Sequence, residues 1–316
     1  MLQSIFPARD KLAVFAVKRY LYWMTSIPAY PEFAPLSLAM AREISPHLVR
    51  LPDGVSEFSF AGLYLFRERY GYRAAFRNDL LVISGEREGK RFFITPCCST
   101  GRDTIEELFA DHDYWKLISP AFVEKNRPWM EEAGYVPVSD RDNFDYLYLR
   151  SDLATLSGKR FHKKKNHINA FERDNPEISV RPLDVSTRAD AMAILDSWAS
   201  HEENPGNTDY AAAREALELM ESFAMSGLVL YSAGVPVAWT LAETVADGRI
   251  SAVHFEKARV EYRGAYQYVN YAFAQSLPES VEFINREQDL GDEGMRQAKM
   301  TYRPAGFVEK YRVEKP

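Results

Sequence analysis

Cysteine is nearly absent from these 316 residues: there are two, Cys97 and Cys98, and they are neighbours. An ordinary structural disulfide cannot staple adjacent residues, so a disulfide framework is excluded and a reducing, cytoplasmic setting is expected. Long apolar runs are missing as well. The nearest approach, Asp10–Ser26, is interrupted by Lys11, Lys18 and Arg19 and is too short and too charged to span a bilayer. It reads instead as an amphipathic helix packed on the protein and ended by Pro28, Pro31 and Pro35; a membrane-surface use of Tyr22 and Trp23 is the less favoured alternative. Excess charge is lacking too. At a net −6 the chain has no global attraction for nucleic acid or an anionic membrane, so any anion site must be local. Of its few histidines, His162 and His167 are five apart, a poor spacing for ligating one metal from a helix face, and with both cysteines elsewhere no metal site is expected.

What is present is the material of a globular core: 46% hydrophobic and 13% aromatic residues, over a length that implies two domains. Past the prolines, helices are expected at Leu36–Ile44, Ser56–Arg69, Asp103–Ala110 and Ser119–Ala133. Strands are expected at Tyr72–Phe76, Leu80–Gly85, Arg91–Pro96 and Asn143–Leu149, with turns at Asn78-Asp79 and Glu88-Gly89. This is an α/β layer structure around an antiparallel meander, and nothing in it has catalytic spacing.

Between the halves, Gly158–Arg173 carries six Lys or Arg against one acid, a local charge of +5 in an acidic chain. Phe161, Ile168 and Phe171 share one helical stripe and Arg160, Lys163, Lys164 and His167 a neighbouring one, so the segment can dock by its apolar edge and present cations. An anion site for donor phosphates, using Lys163, Lys164 and Lys165, is the favoured reading over a solvated linker.

The second half has a clear order: strand Ile178–Leu183, helices Ala189–Ser200 and Tyr210–Met225, then strands Leu228–Ser232, Val235–Val245 and Arg249–Ala258, the first two joined by the hairpin signal Ala233-Gly234. A turn through Arg263-Gly264 enters a helix from about Ala265 to Ser276. Strand Val281–Asp289, helix Asp292–Thr301 and strand Phe307–Val313 follow. This is the element order of the GNAT acyltransferase fold, in which the turn after the third meander strand offers helix N–H groups to a donor's phosphates. Here Arg263 and Gly264 are the residues that fit that turn. The polar run in the last third has its own logic: along an extended Val281–Asp289, Asn285, Glu287 and Asp289 share a face, and Met295, Lys299 and Tyr302 share a face of the next helix. These acids and Lys299 are expected to converge.

The runs GKRFHKKKNHINAF, HFEKARVEYRGAYQYVN and FINREQDLGDEGMRQAKMTYRP, the closing GFVEKY and the earlier EFSFAGLYLFRERY resemble soluble bacterial proteins grouped with the C-terminal domain of phosphatidylglycerol lysyltransferase. The resemblance runs from about Glu57 to Val313. It implies a mixed α/β chain of two tandem GNAT-like domains with largely antiparallel mixed sheets, similar also to Fem-type transferases that use aminoacyl-tRNA. The expected boundaries are an N-terminal helical extension over 1–35, domains over 36–156 and 177–316, and a basic connecting helix over 157–176. It also implies a catalytic lysine near the final helix, the position of Lys299.

On that scaffold, acyl transfer needs a proton acceptor, donors for an oxyanion and an acid for the leaving group. Alternation along Ile250–Ala258 puts His254 and Glu256 on one face, and either could be the base. Lys299 and Tyr302 are expected to stabilise the oxyanion or the departing ribose hydroxyl, and Asn285, Glu287 and Asp289 to hold a cationic donor or acceptor. The expected activity is transfer of an aminoacyl group from aminoacyl-tRNA to an amine or hydroxyl, on a small molecule or a lipid headgroup. Two alternatives stay open: an acetyl-coenzyme A-dependent N-acetyltransferase, which would use Arg263 and Gly264 as its phosphate cradle, and a non-catalytic ligand-binding protein.

Overall fold

The computed structural model describes residues 26–48, 51–96 and 100–316, so the helix expected over Asp10–Ser26 (Ser26 apart) and the Cys97-Cys98 pair lie outside the described residues. In chain order the strands are β1 (Ala34–Pro35), β2 (Arg73–Arg77), β3 (Leu80–Arg87), β4 (Lys90–Ile94), β5 (Tyr114–Ile118), β6 (Pro137–Ser139) and β7 (Asp145–Leu149), then β8 (Ile178–Pro182), β9 (Ser226–Ser232), β10 (Val235–Val245), β11 (Ile250–Ala258), β12 (Phe283–Asn285), β13 (Gly306–Val308) and β14 (Tyr311–Glu314). Two-residue turns close the meanders. Glu88-Gly89 and Ala233-Gly234 take positive φ at both positions, the twist that two-residue hairpins need. Gly227, inside β9, has a different reason: a Cβ there would lie 2.0 Å from the Thr240 carbonyl oxygen of β10, so only glycine lets the two strands approach.

The strands form two sheets of one pattern, ordered β1-β2-β3-β4-β5-β14-β6 and β8-β9-β10-β11-β12-β7-β13. Each opens with four antiparallel strands, continues with one parallel pair (β4 with β5, β11 with β12) and closes with two antiparallel additions. The two halves thus repeat one mixed, largely antiparallel strand pattern, and they trade strands. The strand inserted next to the parallel pair is β14 in the first sheet and β7 in the second, so each half completes the other. The expected strand Phe307–Val313 is therefore two strands in different sheets, and the expected Asn143–Leu149 strand serves the second sheet rather than the first. Strands β5 and β6 were not anticipated.

The exchange crosses at a buried polar knot. Asp145, at the start of β7, is fully buried, and its carboxylate accepts from Lys310 Nζ (2.7 Å), Ser56 N–H (2.9 Å) and Oγ (3.0 Å), Asn285 Nδ2 (3.1 Å) and Gln288 Nε2 (2.6 Å). Lys310, between β13 and β14, also donates to Glu57 (2.6 Å). Buried charges persist only when paired and hydrogen-bonded, and this set meets that demand while drawing on both halves. Away from the knot the halves are held by apolar packing, as where Phe93 of β4 stacks on Trp115 of β5 at 5.7 Å. Burying an aromatic side chain of that size contributes about 2–3 kcal/mol.

Both parallel pairs part soon after they form. β11 and β12 are in register at only three positions, Ile250 with Phe283, Ser251 with Ile284 and Ala252 with Asn285. Beyond Asn285 the chain turns away through left-handed backbone at Glu287 (φ 55°) and Leu290 (φ 52°). The expected nine-residue strand stops at three, and the alternation argument for a shared face stops with it. In the first half the space near the ends of β4 and β5 is small, about 20 Å³ among Phe58, Thr95, Leu117, Ile118 and Phe122. In the second half the opening is filled with polar side chains.

Candidate functional site

His254 and Glu256 of β11, past the last aligned pair, point into this opening. The His254 side chain is 1% exposed, with Nδ1 2.6 Å from Glu287 Oε1 and Nε2 2.7 Å from Glu243 Oε1. Burial alone would depress its pKa, but hydrogen bonds and charge from Glu243 and Glu287 together outweigh that and push it up to about 10. At neutral pH it is an imidazolium with both nitrogens donating, so it does not serve as the base that its place on the strand suggested. It is the cation that holds two carboxylates in position.

Glu256 is engaged as well. Oε1 accepts from Asn270 Nδ2 of the helix Ala265–Ser276 at 3.2 Å, and Oε2 accepts from Arg286 Nε at 3.1 Å and from its Nη2. The Arg286 guanidinium also lies 4.9 Å from the centroid of the Tyr302 ring. On the same ring, at 3.8 Å, rests Lys164 Nζ from the basic helix His162–Asp174. Lys164 is half-buried and makes no ion pair among the described residues, whereas Lys163 and Lys165 are exposed. The three expected phosphate lysines thus separate: one turns into the opening and two face solvent.

Lys299 comes from the helix Glu293–Met300, which starts where Asp292 accepts from Met295 N–H (2.6 Å). Its Nζ donates to the main-chain carbonyls of Arg286 (2.6 Å) and Gln288, and lies 5.6 Å from the Tyr146 ring centroid. Burial first, then the Arg286 charge, bring Lys299 down to about 8; the same two causes bring Lys164 down to about 8. Tyr302 is raised to about 12, mainly by burial. One amine, Lys164, and the Arg286 guanidinium therefore share the Tyr302 ring, and a second depressed amine, Lys299, is buried beside the same guanidinium. That is a concentration of positive charge with one carboxylate, Glu256, directly paired to it.

The expected convergence forms only in part: the Glu287 charge acts on buried Lys299, but among the described residues Lys299 is hydrogen-bonded to carbonyls and not to either acid, because left-handed Glu287 ends the alternation. Glu287 goes to His254. Asp289 is fully buried on another side, accepting from Arg296 (2.8 and 3.0 Å), Tyr146 (2.6 Å), Arg141 (3.2 Å) and Gly291 N–H (2.9 Å). Burial would raise its pKa, but these donors hold the carboxyl well below the usual range. Asn285 is buried too, donating to Gly54 O (2.8 Å) and Asp145 and accepting from Glu287 N–H (2.8 Å). Asn285 and Asp289 are thus the anchors at either end of the loop that carries Arg286, Glu287 and Gln288.

Gly264, expected to approach a phosphate, instead approaches the basic helix. A Cβ there would meet His167 O at 3.1 Å and Phe171 Cβ at 3.2 Å, and φ is 94°. Arg263 beside it is exposed. The close approach that requires glycine here is thus to the basic helix, which gives Gly264 a packing reason independent of any phosphate. Elsewhere, a cavity of about 450 Å³ in the first half, lined by His47, Arg77, Asn78 and Thr104 among others, holds none of the residues of the opening.

Sequence reasoning missed Arg286, Glu243, Asn270 and Gln288. Arg286 sits inside the run NREQDLGDEG, but strict alternation assigns it to the wrong face.

One curated relative is an uncharacterized protein of Mycoplasmoides gallisepticum, 22% identical over 197 residues, which are 59% of this chain and 61% of that protein. The match thus spans less than two thirds of that relative. Among solved structures, a conserved protein of unknown function from Bacteroides thetaiotaomicron shares 29% identity at a TM-score of 0.80, covering 90% of this chain and 99% of that one. The fold also recurs in the C-terminal domain of a putative lysylphosphatidylglycerol synthetase from Agrobacterium fabrum, at a TM-score of 0.62 and 15% identity, over 89% and 93% of the two chains. L-PGS from Bacillus licheniformis gives a TM-score of 0.55 at 14% identity, over 80% and 90%. The family described as phosphatidylglycerol lysyltransferase, C-terminal, matches residues 49–314, and the chain belongs to that family, which is of the aminoacyl transferase kind.

Proposed function

We propose that the protein transfers an aminoacyl group from the 3′ end of a charged tRNA to an amine or hydroxyl acceptor, in the opening between β11 and β12. The observation that carries this reading is the set Lys164, Arg286, Tyr302 and Lys299: two cations on one phenol ring, and a buried ammonium beside that guanidinium, next to a carboxylate pair locked by His254. Uncompensated buried charge is costly, and an anionic donor relieves it. Lys164 and Arg286 take a phosphate near the donor's ester, and Arg286 loosens its hold on Glu256 as it does so. Glu287, already oriented by His254, receives the α-ammonium of the aminoacyl group.

The acceptor attacks the ester carbonyl, forming the new bond and a tetrahedral oxyanion, while Glu256 takes the proton that the nucleophile sheds. Collapse breaks the ester C–O bond, and the departing ribose oxygen takes a proton from the Lys299 ammonium. An amine poised near 8 suits that step, since it is charged at neutral pH yet gives up its proton readily. Such a group contributes about 10²–10⁴-fold to rate. The acetyl-coenzyme A alternative has less support, since the close approach at Gly264 is explained by packing against the basic helix.

Binding tests the donor assignment. Charged tRNA should bind with a salt dependence that Lys164→Ala weakens, because each lost phosphate contact reduces the logarithmic salt slope by about 0.7 on a single strand. Tight binding of acetyl-coenzyme A in the same calorimeter, with none of charged tRNA, would reverse the assignment.

A further inference from the structure

Lys299 is held by main-chain carbonyls rather than by a carboxylate, so its place depends on whatever fixes the loop that supplies them. That loop is left-handed at Glu287 and Leu290 and is unpaired with β11 beyond Asn285; on its other side Arg286 N–H donates to Tyr146 O (3.0 Å) and Tyr146 N–H donates to Glu287 O (3.2 Å), so Gln288 is the first residue past its main-chain bonds to β7. Two of its side chains reach out of the opening into the knot where the exchanged strands cross. Asn285 Nδ2 donates to Asp145, and Gln288 Nε2 donates to both Asp145 Oδ1 (2.6 Å) and Ser56 Oγ (2.9 Å), while the Gln288 main-chain carbonyl accepts from Lys299. One residue thus faces two ways: its amide binds the first half and its carbonyl binds the amine.

We propose that Gln288 is a positioning residue for Lys299, transmitting the geometry of the Asp145–Lys310 crossing to the amine and so making its position and proton affinity depend on both halves of the chain. Five donors converge on Asp145, which gives the crossing little freedom to move, and an amide held by two acceptors leaves the Gln288 side chain little freedom either. The consequence is a tightly set environment for the ammonium. It is buried beside Arg286, with Glu287, Glu256 and Asp145 acting on it from the loop, β11 and β7 respectively, and with the Tyr146 ring also near it. Releasing Gln288 lets the loop relax, and Lys299 moves toward water and away from Arg286. Both changes raise its pKa.

The inference rests on the reading of Lys299 as a working group, yet the two can fail separately. The pH midpoint for covalent labelling of Lys299 by a small amine-reactive ester, followed by peptide mass spectrometry, needs no substrate. In the wild type it should lie near 8. In Gln288→Leu, which keeps the volume and removes the amide, it should rise by at least about one unit toward the ordinary lysine value near 10.4. Ser56→Ala, which removes one of the two acceptors of the Gln288 amide, should move it the same way by less. A midpoint unchanged in a folded Gln288→Leu overturns the inference; if that variant does not fold, an unchanged midpoint in Ser56→Ala overturns it. Where aminoacyl transfer is measurable, Gln288→Leu should lower kcat more than it raises KM. Transfer undiminished by Lys299→Ala refutes the catalytic role while leaving the positioning result to stand on the labelling.

Discussion

The buried imidazolium makes a prediction that can be worked through from its neighbours. His254 is enclosed, both ring nitrogens donate to carboxylates, and its pKa rises from the ordinary 6.5 to about 10. A group whose folded pKa is raised contributes stability that is fully present below its unfolded pKa and is lost as pH climbs through the folded value. At about 1.4 kcal/mol per unit, the shift corresponds to roughly 5 kcal/mol, present below pH 6.5 and gone by about pH 10. Other groups titrate in the same window with the opposite sign. Lys164 and Lys299 are depressed to about 8, so the stability they cost in acid is recovered as pH rises past that point. The contribution of His254 is therefore read as a difference: urea unfolding of the wild type and His254→Gln from pH 6 to 10.5. The gap between the two proteins should narrow by several kcal/mol across that range. Nitrogen-15 chemical shifts of the imidazole supply the direct check, with both nitrogens protonated at pH 8. A gap that stays constant with pH, or a ring that titrates near 6.5, would refute the clamp and return His254 to the list of bases.

Three further outcomes follow from the same contacts. Lys310→Met should destabilise the protein by about 3–5 kcal/mol, read from denaturant midpoints, because it strands the fully buried Asp145 carboxylate; a loss under 1 kcal/mol would mean that the knot is not under charge strain. Gly264→Ala should cost about 1–2 kcal/mol in left-handed backbone strain and push on His167, lowering the thermal midpoint without altering any phosphate site; reduced donor affinity at unchanged stability would instead restore the turn as a cradle. If the Lys299 ammonium is the acid, the transfer rate should fall as pH rises through about 8, and Lys299→Arg should extend the plateau upward at a lower rate. A profile still rising through that pH would assign Lys299 the opposite role.

Sequence pattern made the meanders and their turns readable because both are local. Two-residue turns and period-two apolar runs are written within a few residues, and the element order of the second half then follows. The strand exchange was not readable, since nothing local in Asp145–Leu149 or Tyr311–Glu314 says which sheet each joins. The same non-locality hid Asp145, Lys310 and Gln288, whose meaning comes from partners more than 140 residues away in sequence. In the site, residue types were legible but directions were not. His254 and Glu256 share a face as alternation requires, whereas a left-handed residue at Glu287 broke the rule that would have grouped it with Asp289. Arg286 became visible only once the loop's turn was known. Lys164 could be told from Lys163 and Lys165 only by the helix's docking angle, which depends on Gly264 and Phe171.

The central claim is most directly tested by a single-turnover experiment. Charged tRNA carrying a labelled amino acid is mixed with excess protein and the combined small-molecule and lipid fractions of a bacterial extract, and the label is followed by chromatography. The account predicts that the ester label disappears faster than in buffer and reappears bonded to an acceptor amine or hydroxyl, and that Lys299→Ala slows this by at least about 100-fold while remaining folded. Label that stays on the tRNA at the buffer rate, or that moves equally fast with Lys299→Ala, would contradict it.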